Sequence, residues 1–229
     1  MQKRGRTRLL RIVWLVSALL LVLGGVLLQQ HRAAVQAAQA EEARLARAAA
    51  LRETYRYVPL GPLTDVAWMS TAYPQGDWLR YTQTAVLADI SGEWEDYRSS
   101  RGRIYYRIPI QIVEVLYREE GMELSEGPAW ASFSLQLTSE VVKERIQKGD
   151  RLILMGGKSP SGDYYKDLPL LTLSWSISYY LSEDGTVMSM DDDPLVDALS
   201  GMQYEDFVPR ILEIAERSHA LKQEKEEEA

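Results

Sequence analysis

RIYYRIPIQIVEVLY, residues 103–117, is dominated by β-branched and aromatic residues and changes phase once along its length. Its apolar side is even-numbered at Ile104, Tyr106, Ile108, Ile110 and Ile112, then odd-numbered at Val113, Val115 and Tyr117. A period of two marks a strand with one buried face, and a one-residue change of phase is what a β-bulge produces. Pro109 lacks an amide hydrogen, so its neighbourhood reads as an edge or a bulge as well. Long, bulged strands suit small closed sheets, because such a strand must bend to serve both halves.

The same composition continues on either side. Strands are expected at Asp65–Met69, Leu79–Asp89, Ala129–Leu137, Arg151–Met155, Leu170–Leu181 and Thr186–Met190, the last two meeting at the Asp184-Gly185 hairpin turn. One helix interrupts them, with Thr138 and Ser139 as caps, an amphipathic stretch from Glu140 to Ile146, and Gly149 as its stop. Asp193-Pro194 predicts a short capped helix ending at Gly201. A last helix carries Phe207, Val208, Ile211, Ile214 and Ala215 on one face, and the QEKEEEA tail reads as frayed.

Three strands, a helix and two strands is the element order of the OB-fold, and the stretch from about Leu79 to Leu181, with ADISGEW and GDRLILMGG inside it, resembles that fold. The expected class is mainly β (α+β): an OB-like five-stranded barrel with an added hairpin and a C-terminal helix.

Upstream, Lys3, Arg4, Arg6, Arg8 and Arg11 precede the uncharged run Ile12–Leu28. A helix of that length spans about 25–30 Å, the thickness of a bilayer's hydrocarbon core, so a transmembrane helix over residues 9–28 is expected, with its basic flank in the cytoplasm. The small-x-small triplets Ala38-Gln39-Ala40 and Val35-Gln36-Ala37 leave a cleaved signal peptide as the alternative. Arg32–Arg56 is rich in Ala, Glu, Arg and Leu, without Gly or Pro, and predicts a helical stalk with Glu41 and Glu42 placed to pair with Arg44 and Arg47. The domains are then 1–30 (cytoplasmic stub and membrane helix), 31–56 (stalk), 57–192 (OB-like β domain) and 193–229 (C-terminal helices and charged tail).

The inventory removes several chemistries. There is no cysteine, hence no disulfide, thiol catalysis or thiolate metal site. The two histidines, His31 and His219, lie outside the β domain, which leaves it no Ser-His-Asp triad; His219 reads as helix surface. Asp89, Glu93, Glu95 and Asp96 read as a polar turn, Asp191–Asp193 as a capped helix start without an EF-hand pattern, and Gly156-Gly157-Lys158 as a flexible loop that lacks P-loop spacing. No catalytic residue, metal ligand or cofactor is assigned.

Residues beyond 32 carry 20 basic and 33 acidic side chains, a net −13, so no nucleic-acid partner is expected. Against that average, YRSSRGRIYYR concentrates positive charge and tyrosine, and Arg98, Arg101, Arg103, Tyr105, Tyr106 and Arg107 are the candidate ligand- or partner-binding residues. The OB resemblance implies that this segment is a loop forming one wall of the ligand face. The expected function is a non-catalytic, membrane-anchored binding or assembly module of a bacterial cell envelope, lying outside the cytoplasm, whose partner is a protein or an anionic envelope component. A carboxylate-dependent envelope hydrolase and a structural subunit of a membrane complex stay open.

Overall fold

The computed structural model describes residues 3–54, 78–79, 82–98, 104–133, 143–158, 164–173, 177–191 and 193–227, the side chains of 3–22, 98, 104–105, 133, 158 and 225–227 excepted. The expected strand Asp65–Met69 and the caps Thr138 and Ser139 lie outside the described residues. Met1–Arg44 and Leu45–Ala229 form two compact units.

Helix α1 (Lys3–Thr54) runs through the Ala-rich segment without a break, as its composition demands. In the first unit Arg44 grips the Glu41 carboxylate one turn back, at 2.6 and 2.8 Å. The membrane span expected over residues 9–28 finds no support. Among the described residues no helix is long and apolar enough to cross a bilayer, and only residues 23–28 of that span have described side chains.

In the second unit the strands are β1 (Thr84–Ile90), β2 (Glu95–Arg98), β3 (Ile104–Arg118), β4 (Gly127–Phe133), β5 (Arg151–Lys158), β6 (Tyr164–Tyr165), β7 (Leu168–Leu173), β8 (Tyr179–Leu181) and β9 (Val187–Ser189). Five of them form a closed ring in the order β7-β4-β3-β1-β5, with β5 returning to β7. The β4–β7 pair is parallel and the other ring pairs are antiparallel. Strand β3 serves β2 with its first residues and β1 with its second half, which is why it is so long.

The phase change in β3 is a bulge, and there are two. Ala88 faces Ile112 and Leu87 faces Glu114, so Val113 is the extra residue; Val86 faces Val115 and Ala85 faces Tyr117, so Leu116 is a second. Val113 therefore points outward, correcting its expected place on the apolar side, while Ile112 and Val115 keep to the inner cluster and Leu116 and Tyr117 turn to the outer one.

Two cores result. The inside of the ring is filled by Val86, Ile108, Ile110, Ile112, Leu152, Leu154 and their neighbours, with Ile146 and Trp94 packed in where residues 143–145 are helical. The outer face of β1, β5 and the β8–β9 hairpin is covered by helices α2 (Pro194–Asp197) and α3 (Tyr204–Glu227), through Phe207, Ile211, Ile214 and Ala215. Strand β1 consequently buries both faces, Ala85 and Leu87 outward and Val86, Ala88 and Ile90 inward.

Asp193 caps α2 by accepting from the Leu195 amide at 3.0 Å, with Pro194 in first position, and the turn after it ends at Gly201 (φ +82°). The end of α1 belongs to this unit: Ala48 is buried, Arg47 Nε donates to the Gly201 carbonyl at 3.0 Å, and Arg52 pairs with Asp197.

Several expectations are corrected. The expected strand Leu79–Asp89 starts only at Thr84, with Trp78 and Leu79 in a turn. Leu170–Leu181 is two strands, β7 and β8. Gly156-Gly157-Lys158 is not a loop but the end of β5, paired to Leu173, Thr172 and Leu171. The tail does not fray at Lys222, because α3 continues to Glu227. His219 is no mere surface residue. The Thr82 carbonyl, an acceptor only, receives its Nε2–H at 3.0 Å, which leaves Nδ1 to accept from the Tyr117 hydroxyl at 3.0 Å.

Candidate ligand-binding face

On β3 the isoleucines at 108, 110 and 112 point into the ring, so Arg107 and Pro109 point outward; on β4 Ala129 and Ala131 point in and Trp130 and Ser132 out. Arg107 stands opposite Glu95 of β2 and Ser132 of β4. The β6–β7 hairpin folds over this outer face and brings Tyr165 and Lys166 to it.

The Arg107 guanidinium sits in the corner made by two rings, 3.6 Å from the Tyr97 centroid and 4.1 Å from that of Tyr165. Tyr165 meets Tyr97 edge-on at 5.8 Å and Trp130 edge-on at 5.0 Å. The Glu95 carboxylate accepts from Lys166 Nζ at 2.6 and 2.7 Å and from the Tyr165 hydroxyl at 3.2 Å. The Lys166 ammonium, with help from Tyr165, holds the Glu95 carboxyl below its usual range. Lys166 also lies 5.1 Å from the Trp130 ring. The Trp130 indole N–H is buried and has no hydrogen-bond partner among the described residues. Rings edge to face with a desolvated cation between them make a rigid platform.

The hairpin that completes the platform turns on Lys166 (φ +49°) and Asp167 (φ +62°), the two central residues of a tight two-residue turn of the I′ kind. Left-handed backbone at residues with a Cβ costs energy, and glycine relieves it. Asp167→Gly is expected to stabilise the protein by up to about 1 kcal/mol, read from the urea midpoint, leaving the Lys166–Glu95 pair in place.

Of the candidates named from the sequence, Arg107 and Tyr106 fall among the described side chains, but not as an exposed loop. Arg107 is 2 % exposed, because it lies within paired strand and the rings of Tyr97 and Tyr165 close over its guanidinium; its expected place on a solvated loop wall is corrected. Tyr106 points to the other side of β3, where Lys143 lies 4.2 Å from its ring and pairs with Asp96 at 2.7 Å. Arg101 and Arg103 lie outside the described residues, as do the side chains of Arg98 and Tyr105.

Glu95, Trp130, Tyr165 and Lys166 were missed. The one signal for the last two was the tyrosine pair in GDYYKDL, whose alternation brings one ring to each side of a short hairpin.

The polar turn expected at Asp89, Glu93, Glu95 and Asp96 is corrected: Asp89 lies in β1 and Glu95 and Asp96 open β2, which leaves only Glu93 between the strands. Asp89 is held by Arg151 at 2.6 and 2.9 Å, which keeps its carboxyl below the usual aspartate range, while Glu95 and Asp96 pair with Lys166 and Lys143. Among the described residues no group of three or more acidic or imidazole side chains is placed to hold a metal ion.

In its strand order and its parallel β4–β7 pair the five-stranded ring resembles the OB-fold, at the level of the fold. No protein-family model matches the chain, and neither does any curated protein. Two crystal structures of the mitochondrial single-stranded DNA-binding protein Rim1 from S. cerevisiae are similar to it. One, at 11% identity and a TM-score of 0.32, covers 44% of this chain and 95% of that one; the other, selenomethionine-labelled, is 10% identical with a TM-score of 0.31 and covers 44% and 96%. The expectation that excluded nucleic acid is corrected on its own physical ground. That exclusion rested on a net charge averaged over nearly 200 residues, whereas a ligand meets local charge within roughly 8–10 Å.

Proposed function

We propose that this chain is a non-catalytic binding or assembly module of the cell envelope, tethered by its N-terminal helix with the β unit outside the cytoplasm, and that its ring is an OB-like barrel. Its partner engages the outer face of β2, β3 and β4 beside the β6–β7 hairpin. Five basic residues before an uncharged run support the tether and its orientation. The single observation that carries the binding reading is the Arg107 guanidinium clamped between Tyr97 and Tyr165, next to Trp130. Edge-to-face rings with a fixed cation beside an exposed lysine suit a partner that offers ring faces next to anionic groups.

The test titrates the full chain in nanodiscs with a short fluorescein-labelled oligothymidylate and, separately, with a polygalacturonate fragment. Thymine offers a planar face beside phosphate, and galacturonate a pyranose C–H face beside a carboxylate. Tyr165→Ala should weaken the probe that binds by about 1–3 kcal/mol, the worth of one stacked ring. Failure of both probes to bind, or unchanged binding by the variant, overturns the assignment of this face. A reporter fused after Ala229 that is active inside the cytoplasm overturns the topology.

A further inference from the structure

The two tyrosines of β6 point to opposite sides, so while Tyr165 joins the Arg107 stack, Tyr164 stands over a different groove. That groove, about 320 Å³, runs between the β3–β4 loop and the β6–β7 hairpin, with Met122, Glu123 and Leu124 on one wall and Tyr164, Pro169 and Leu170 on the other. Met122, Leu124 and Leu170 are buried, which fixes both walls, whereas Tyr164 is 61% exposed and makes no hydrogen bond or ring contact among the described residues. A second hollow over residues 118–123 continues it.

The loop that forms this wall carries Glu119, Glu120, Glu123 and Glu126 within eight residues. Glu119 accepts from Gln83 at 2.8 Å, and Arg118 spends one N–H on the Leu124 carbonyl at 2.9 Å. Glu120, Glu123 and Glu126 form no ion pair among the described residues, in contrast to Asp89, Glu95 and Asp96. An exposed aromatic ring across a groove from unpaired carboxylates is complementary to a side chain that is cationic and long, since lysine or arginine can lie over the ring and reach the carboxylate together. The same carboxylates repel phosphates and acidic lipid headgroups.

We propose that this groove is a docking site for an extended, basic segment of a protein partner, whose Arg or Lys side chains lie between Tyr164 and Glu123 along the acidic rim. The surface is separate from the Arg107 face and goes beyond its proposed use.

The probe is a fluorescein-labelled peptide alternating Arg and Leu, titrated against the full chain in nanodiscs of neutral lipid, with the same peptide carrying Glu for Arg as comparison. The Arg peptide should bind and the Glu peptide should not. The exposed triple change Glu120→Gln, Glu123→Gln, Glu126→Gln should weaken binding roughly tenfold, and wild-type binding should fall as salt rises. Tyr164→Ala should weaken it roughly two- to fivefold. A distant triple change of equal charge, Glu144→Gln, Glu216→Gln, Glu224→Gln, should leave it unchanged. Equal loss in the two triple variants would mean that only average charge is at work and overturns the site. No binding by the wild type, or full binding by the rim variant, overturns it too.

Discussion

Gly156→Val should prevent the ring from closing. A Cβ at position 156 runs into the carbonyl oxygen of Thr172 and crowds the Cα of Leu173, and both are backbone atoms of the neighbouring strand that no rotamer change can move. Relief requires β5 and β7 to separate, and among the described residues three pairs join them: Gly156–Leu173, Gly157–Thr172 and Lys158–Leu171. Overpacking of this kind costs about 1–3 kcal/mol when side chains can yield, and more when backbone must move. A loss of about 3 kcal/mol or more is expected, a large share of the margin of a domain this size. The neighbouring glycine is the control. A Cβ at 157 meets only the side chain of Gln83, whose flexible end can swing away, so Gly157→Ala should cost under about 1 kcal/mol. Urea denaturation of both variants, followed by tryptophan fluorescence, decides the matter; equal midpoints would show that strand closure does not depend on Gly156.

Phe207→Ala is expected to destabilise the protein by about 3–5 kcal/mol, the cost of a cavity where a fully buried aromatic ring stood. Phe207 is fully buried and meets Tyr179 edge to face at 4.8 Å, while the Tyr179 hydroxyl donates to the Val196 carbonyl at 3.0 Å, so one side chain ties α3, β8 and α2 together. Burial has pushed the Tyr179 hydroxyl's pKa well up, which keeps it a neutral donor there. Val208, one position on, is only half-buried, and Val208→Ala should cost much less. Comparable melting of the two variants would mean that α3 is an appendage and not part of the core.

Both changes test features that were unequally legible. The face of α3 could be read from the 3.6-residue spacing of Phe207, Ile211, Ile214 and Ala215, because burial on one side of a helix leaves that period in the chain. Gly156 could not. Two adjacent glycines before Lys158 have the local signature of a loop, and what makes them strand is an approach by β7 from outside their own segment. The candidate site shows the same division. YRSSRGRIYYR contains two members of the platform, Tyr97 and Arg107, but only residues that alternate on one strand reach the outer face together, and half of the platform comes from Trp130 and Tyr165, on strands far along the chain.

By itself the sequence determined the elements whose cause is local: the long Ala-rich helix, the phase change that makes β3 bend, the Asp193-Pro194 cap, the Asp184-Gly185 hairpin and the amphipathic last helix. It also determined the absence of thiol chemistry and of histidine within the β region. Only the tertiary structure decided the closure of the ring by β5 on β7, the second bulge at Leu116, the burial of Arg107 against two tyrosines and which surfaces Tyr164 and Tyr165 reach. The physical reason is range. Propensity, capping and periodicity act within a few residues and leave their mark on composition, whereas desolvation, stacking and backbone approach depend on which strands become neighbours, and no local pattern records that.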